Sequence, residues 1–300
     1  MASFQGLSAF PITPADDAGR VDTAAMRRLV GRLVAAGVDS IGLLGSTGIY
    51  MYLTRDQRRR AIEAALDESS GSTPVIAGIG ALRTDEAVAL ARDAKDIGAT
   101  AGLLSAASYT PLTDDEVFEH FSTVARESGL PIVIYDNPGT THFKFTPELV
   151  ARLARVPGIV AIKNPGVGAD DTAHHLAEQR AIVPRGFSIG CSGDWTATET
   201  MIAGADAWYS VLGGLFPGVC LKLVRAAQQG NAAEARQLDG TLEPFWALFR
   251  QYSSLRVVYA LAELLDICRT APPRPLLPLS DTAKRQVADT LARLPAHVAE

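Results

Sequence analysis

In the stretch 159–166 (IVAIKNPG), one lysine, Lys163, closes an otherwise apolar run. Burial disfavours the charged form of a lysine and drives it toward the neutral amine. A neutral amine near pH 7 adds to ketones and forms a Schiff base, whose protonated nitrogen withdraws electrons from an adjacent C–C bond. The same lysine could instead snorkel to a rim or pair with a carboxylate, and position alone leaves both readings open. Tyr135 ends the preceding apolar run, PIVIYDNP, at the matching place. A phenol there could shuttle protons to a carbinolamine or a leaving aldehyde. A lone tyrosine would be read as a packed ring with a hydrogen-bonded tip. The turn Gly45-Ser46-Thr47-Gly48 brings two hydroxyls and a glycine-flanked backbone that could offer N–H groups to an anion. It lacks the lysine and spacing of a phosphate-binding loop, which points to a carboxylate, and it also reads simply as a good turn.

The elements that must position these residues form a regular series. Near-continuous apolar runs at 6–13, 40–45, 74–80, 100–107, 131–138, 159–165, 187–193 and 206–213 read as parallel strands covered on both faces. Helices lie between them. Met26, Leu29, Val30, Leu33 and Val34 recur at helical spacing. Thr54…Gln57 and Thr113…Glu116 have the form of capping boxes, and Thr146-Pro147 of an N-cap followed by proline. Gly37, Gly98 and Gly129 stand where a helix ends in a left-handed residue. The alternation predicts an α/β fold, a (β/α)8 TIM barrel, with the site at the C-terminal ends of its strands. No dinucleotide-type glycine turn follows the first strand. After about residue 230 the strands stop. Stretches 231–250, 253–266 and 281–295 read as helices, so 1–230 is expected to be the barrel carrying the site and 231–300 a C-terminal helical extension packed on it.

The chain has 300 residues, of which 47% are hydrophobic and 20% charged, with a formal net charge of -5. That balance gives no basic surface for nucleic acid or an anionic membrane. The one basic knot, Arg55, Arg58, Arg59 and Arg60, is expected on a solvated helix face or a subunit contact. No apolar run is long enough to span a bilayer. Three cysteines without metal spacing and no evident signal peptide lead to the expectation of a cytoplasmic protein.

With these residues in hand, the chain resembles the dihydrodipicolinate synthase and N-acetylneuraminate lyase family of class I, Schiff-base aldolases. The resemblance covers essentially the whole chain and rests on AFPITP, the GSTG turn, IYDNPG, IVAIKNP and SGDW…GADAWYSV. It implies that Lys163 forms the imine with pyruvate or another 2-keto acid, and that Tyr135 relays protons supported by Ser46. It implies that Thr47 helps to hold the keto acid's carboxylate, with Gly48 in the same motif, and that Gly193 and Tyr209 line the pocket. It implies that Tyr109 is supplied across a dimer interface of a homotetramer built as a dimer of dimers. No metal or organic cofactor is expected, since the imine is the electron sink.

Two departures bear on the substrate. The family motif continues with glutamate where Ile49 stands here. The dihydrodipicolinate synthases carry arginine where Thr140 stands, which argues against the lysine-pathway synthase because a bidentate grip on a second carboxylate is lost. Tyr209 replaces a smaller aliphatic residue, and His142 is either a substrate contact or an ordinary loop residue. The expected function is therefore a lyase or aldolase that cleaves or forms a C–C bond through a lysine imine. A dehydratase of a sugar-derived 2-keto-3-deoxy acid is the first alternative and a non-catalytic keto-acid-binding homologue the second.

Overall fold

The computed structural model describes residues 4–295. The ends of the two expected segments, 1–3 and 296–300, lie outside the described residues. Eight parallel strands close into a barrel in sequence order, with the last pairing the first. They are β1 (Gly6–Ala9), β2 (Ser40–Leu43), β3 (Val75–Gly78), β4 (Ala101–Ser105), β5 (Ile132–Tyr135), β6 (Ile159–Asn164), β7 (Ser188–Cys191) and β8 (Ala207–Ser210). Each is shorter than its apolar run. The run continues past the last ladder bond into rim turns that are themselves buried, such as Leu44 and Gly45, so hydropathy alone does not mark where pairing stops.

The surrounding helices are α1 (Thr23–Ala36), α2 (Arg55–Ser69), α3 (Thr84–Ile97), α4 (Asp114–Ser128), α5 (Pro138–Thr141), α6 (Pro147–Leu153), α7 (Ala169–Ile182), α8 (Asp194–Ile202) and α9 (Pro217–Gln228). The strict alternation is broken once, by the single turn of α5 before α6. Gly37, Gly98 and Gly129 end their helices in the left-handed conformation, as the spacing predicts. The Thr113–Glu116 capping box is formed on both sides, and Thr146 caps α6 ahead of Pro147. Thr54 caps α2, but Gln57 does not reach back to it. The Gln57 side chain accepts from the Val21 N–H instead, because the chain entering α1 lies within reach.

The remaining helices, α10 (Ala232–Tyr252), α11 (Ser254–Leu264) and α12 (Asp281–Ala292), follow the last strand, and α10 packs on α8 and α9. None of the described helices is long and apolar enough to cross a membrane.

The core has two layers. Strand and helix side chains fill the space outside the barrel wall. Inside the barrel Phe4, Phe10, Ile76, Leu103, Val133, Tyr135 and Tyr209 pack together. The inner aromatics fit because inward strand positions opposite them are glycines. A Cβ on Gly42 would lie 2.1 Å from the Phe10 ring, and one on Gly190 would lie 2.4 Å from the Tyr209 ring.

One basic residue contradicts the expected solvated face. Arg58 is 7% exposed. Its guanidinium donates to the carbonyls of Gly80 (2.8 Å) and Leu53 (3.3 Å) and lies over the Tyr50 ring. Arg55 and Arg59 point outward and converge on Asp93 of α3. Helical periodicity sends one arginine of the cluster to the barrel side of α2, where rim carbonyls await a donor.

Candidate active site

Lys163 is placed by the register of β6. β5 and β6 start with Ile132 beside Ile159 and continue with Val133 beside Ala161. The extra residue, Val160, makes a bulge. Without it Tyr135 would stand beside Ile162, whose side chain belongs to the outer layer. With it, Tyr135 stands beside Lys163, and Gly190 flanks the lysine on the other side. The next residue, Asn164, is locked outward by a reciprocal amide pair with Gln179 of α7, both bonds at 2.8 Å. Alternation along the strand then keeps Lys163 pointing into the barrel.

Lys163 is 4% exposed. Its Nζ lies 4.0 Å from the centroid of the Phe10 ring, 4.4 Å from that of Tyr135 and 5.8 Å from that of Tyr209. Ring faces attract a cation, but they do not replace its hydration. Burial pushes the lysine down to about 7, while Asp194 and Cys191 pull weakly the other way. Near neutrality a large share of this lysine is the free amine.

The Tyr135 hydroxyl is 2.9 Å from Ser46 Oγ, across the barrel mouth from β2. It also accepts from Asn137 Nδ2 at 2.9 Å. Burial raises Tyr135 to about 12, opposed by the hydrogen bonds of Ser46 and Asn137. Tyr50 and Ser105 form a second hydroxyl pair at 2.8 Å on the adjoining rim.

The turn bearing Ser46 is held in an unusual shape. Leu44 (φ 56°) and Ile49 (φ 54°) are both left-handed, a conformation that is uncommon for bulky side chains and costs roughly 1–2 kcal/mol each. Both are buried in the outer core layer, and this anchoring holds the turn. Where the family motif has glutamate, this chain therefore places a buried apolar side chain. Thr47 is buried beside Ser46. Among the described residues no backbone hydrogen bond occupies the N–H groups of Ser46, Thr47 or Gly48.

Asp194, the first residue of α8, stands in the SGDW motif at the end of the seventh apolar run, where the sequence assigns it no role. It accepts from Trp208 Nε1 (3.0 Å), Val211 N (3.2 Å) and Leu212 N (2.7 Å). These bonds tie β8 and the segment after it to the start of α8. Burial lifts the carboxyl to about 6 against those three bonds and against Lys163. Phe10 and Asn137 likewise stand in the AFPITP and IYDNPG motifs, where the sequence assigns them no role. Their roles depend on which way the rim turns them, which no pattern in the sequence reveals.

Of the expected site residues, Lys163, Tyr135, Ser46 and Tyr209 come together. Tyr209 is fully buried and forms the aromatic floor, edge-on to Phe10 at 5.9 Å. Gly193 takes φ 82° ahead of α8, close against Gly166. Thr140 is exposed on α5 and accepts from Asn137 Nδ2 at 3.0 Å. His142 is exposed at the end of the same turn. Tyr109 is 97% exposed, so within one chain it does not touch the buried lysine.

A closed eight-stranded barrel with an inward lysine beside a tyrosine at its C-terminal mouth defines the class. The family model described as the dihydrodipicolinate synthetase family matches residues 3–294. The chain is 35% identical over 253 residues to a 4-hydroxy-tetrahydrodipicolinate synthase of Methylococcus capsulatus, covering 84% of this chain and 86% of that one. It is 33% identical over 293 residues to the synthase of the same name from Methanothrix thermoacetophila, covering 97% of each. Among solved structures, a dihydrodipicolinate synthase from Agrobacterium tumefaciens superposes with a TM-score of 0.96 at 55% identity, over 98% of this chain and 99% of that one. The chain belongs to the dihydrodipicolinate synthetase family, and it is a lyase of the Schiff-base aldolase type.

Proposed function

We propose that Lys163 condenses with pyruvate, or with a 2-keto acid that yields it, and that the enzyme makes or breaks the bond at the carbon next to the imine. The observation that carries this is the buried amine, ringed by Phe10, Tyr135 and Tyr209 and held near pH 7 in its nucleophilic form. The amine adds to the keto carbon to give a carbinolamine, which loses water to give the imine. The protonated imine accepts the electron pair of the adjacent C–H or C–C bond as an enamine. Protonating the enamine, or adding it to an aldehyde, returns the pair to carbon. Water then hydrolyses the imine and frees the lysine.

Tyr135 and Ser46 carry the protons these steps release and consume. The Thr47 hydroxyl and the free N–H groups of the turn hold the carboxylate, a neutral-donor arrangement suited to one negative charge. Tyr209 and Gly193 shape the pocket. Tyr109, left in water by its own chain, completes the site of a second copy in a dimer of dimers. The imine nitrogen is the electron sink, so the reaction asks for no metal or organic cofactor. The location that suits three buried free cysteines is the cytoplasm.

A second reading, dehydration of a sugar-derived 2-keto-3-deoxy acid by the same imine, is favoured by the rim. Thr140, bonded to Asn137, presents a neutral hydroxyl where the dihydrodipicolinate synthases carry an arginine. The test is borohydride reduction with pyruvate followed by peptide mapping. One reduced pyruvate on Lys163 is expected. An adduct only with longer keto acids selects the dehydratase, and no adduct with any keto acid removes imine chemistry from the chain.

A further inference from the structure

Asn137 lies two residues beyond Tyr135, where β5 turns into α5. Its amide nitrogen is 2.9 Å from the Tyr135 hydroxyl, 3.3 Å from Ser46 Oγ and 3.0 Å from Thr140 Oγ1. It thus touches both hydroxyls of the relay and is anchored on its far side. Its own carbonyl accepts from the N–H groups of Thr140 and Thr141, both at 2.9 Å, so the backbone that carries the amide is fixed too.

We infer that Asn137 is a positioning residue for the Tyr135–Ser46 pair, holding the phenolic oxygen in place and stabilising it when it gives up its proton. The inference rests on the Schiff-base reading above. A phenol has one hydrogen and two lone pairs. The amide N–H occupies one lone pair and takes no proton in return. Proton exchange is then confined to Ser46 and the bound substrate. A donor to an oxygen that becomes negative forms a stronger bond as the charge develops. Asn137 therefore acts most when the tyrosine is ionised, the form that burial disfavours. Thr140 serves this chain as the anchor of that amide.

The experiment compares the wild-type chain with Asn137→Val and Asn137→Asp. The first removes the donor; the second keeps the shape but substitutes an acceptor. Two readouts need no knowledge of the second substrate. One is the borohydride-trapped pyruvate adduct, measured by intact mass. The other is exchange of the pyruvate methyl hydrogens with deuterated water, followed by NMR across pH. All three proteins are expected to trap pyruvate on Lys163. Exchange is expected to slow about 10–100-fold in Asn137→Val, and at least as much in Asn137→Asp. The alkaline limb of the valine variant's profile should move to higher pH.

Wild-type exchange in either variant, with trapping intact, overturns the positioning role. If the wild-type chain traps neither pyruvate nor any longer 2-keto acid, the Schiff-base reading fails and this inference with it. Should a variant fail to fold, Thr140→Val removes only the anchor. It is expected to slow exchange about threefold, and an unchanged rate there overturns the role equally.

Discussion

Lys163 and Arg58 are both cations withdrawn from water, at 4% and 7% exposure, and each lies against a tyrosine ring. Burial lowers the pKa of both. Arg58 meets two backbone carbonyls, so its charge is satisfied by fixed acceptors. A guanidinium also starts so far above neutrality that the shift leaves it charged. Lys163 meets ring faces, and its starting value is low enough for the same desolvation to bring it into the range where it is an amine. On the proposed mechanism, similar burial makes a structural bolt of one and a reagent of the other. What separates them is the acceptors each meets and the intrinsic basicity of each group.

The largest expected effect separates the two directly. Lys163→Ala should lose about 10⁴-fold or more in turnover and all trapped adduct while keeping its fold. Arg58→Met should trap pyruvate normally in the molecules that fold. Turnover surviving in the alanine variant would place the reagent elsewhere. Next in size, Arg58→Met should lower unfolding stability by about 3 kcal/mol in urea, because it leaves two carbonyls without their donor. A change below about 1 kcal/mol would make Arg58 a peripheral residue after all. Tyr135→Phe should cut turnover about 100-fold with the adduct still detectable, and equal activity would take the phenol out of the mechanism.

The pH dependence sharpens the contrast further. Only the deprotonated amine attacks, so adduct formation should rise about tenfold per pH unit up to about 7 and level off above it. A midpoint near that of an ordinary lysine would mean that the amine is hydrated. The smallest effect is on stability. Unfolded lysine holds its proton to about pH 10.4, whereas the folded residue releases it near 7. The wild-type fold therefore gains stability as pH rises between those values and carries its full penalty below 7. Lys163→Met should be more stable than wild type by on the order of 1 kcal/mol at pH 6, with the gain fading toward pH 10. A destabilised methionine variant at pH 6 would show that the ammonium is accommodated rather than strained.

Much of this was legible in the chain. The eight apolar runs and their caps announced the barrel, because parallel strands buried on both faces need unbroken hydrophobicity and helices between them need termini. Lys163 stood out as a charge in such a run, and Tyr135 as its neighbour at a strand end. Arg58 was not legible. One arginine in a basic cluster looks like the others until the helix phase relative to the rim is known. Asn137 and Phe10 were visible as letters within motifs but carried no signal of direction.

The sequence by itself pointed to the fold class through its apolar runs, to the family through its motifs, and through that resemblance to Lys163 as the candidate amine. The tertiary structure alone decided that the amine meets the phenol. That meeting depends on the one-residue bulge at Val160, which sets Lys163 rather than Ile162 beside Tyr135. Because strand side chains alternate faces, a slip of one residue changes which group shares the site. Register is a property of two strands together, and neither strand's own residues encode it alone.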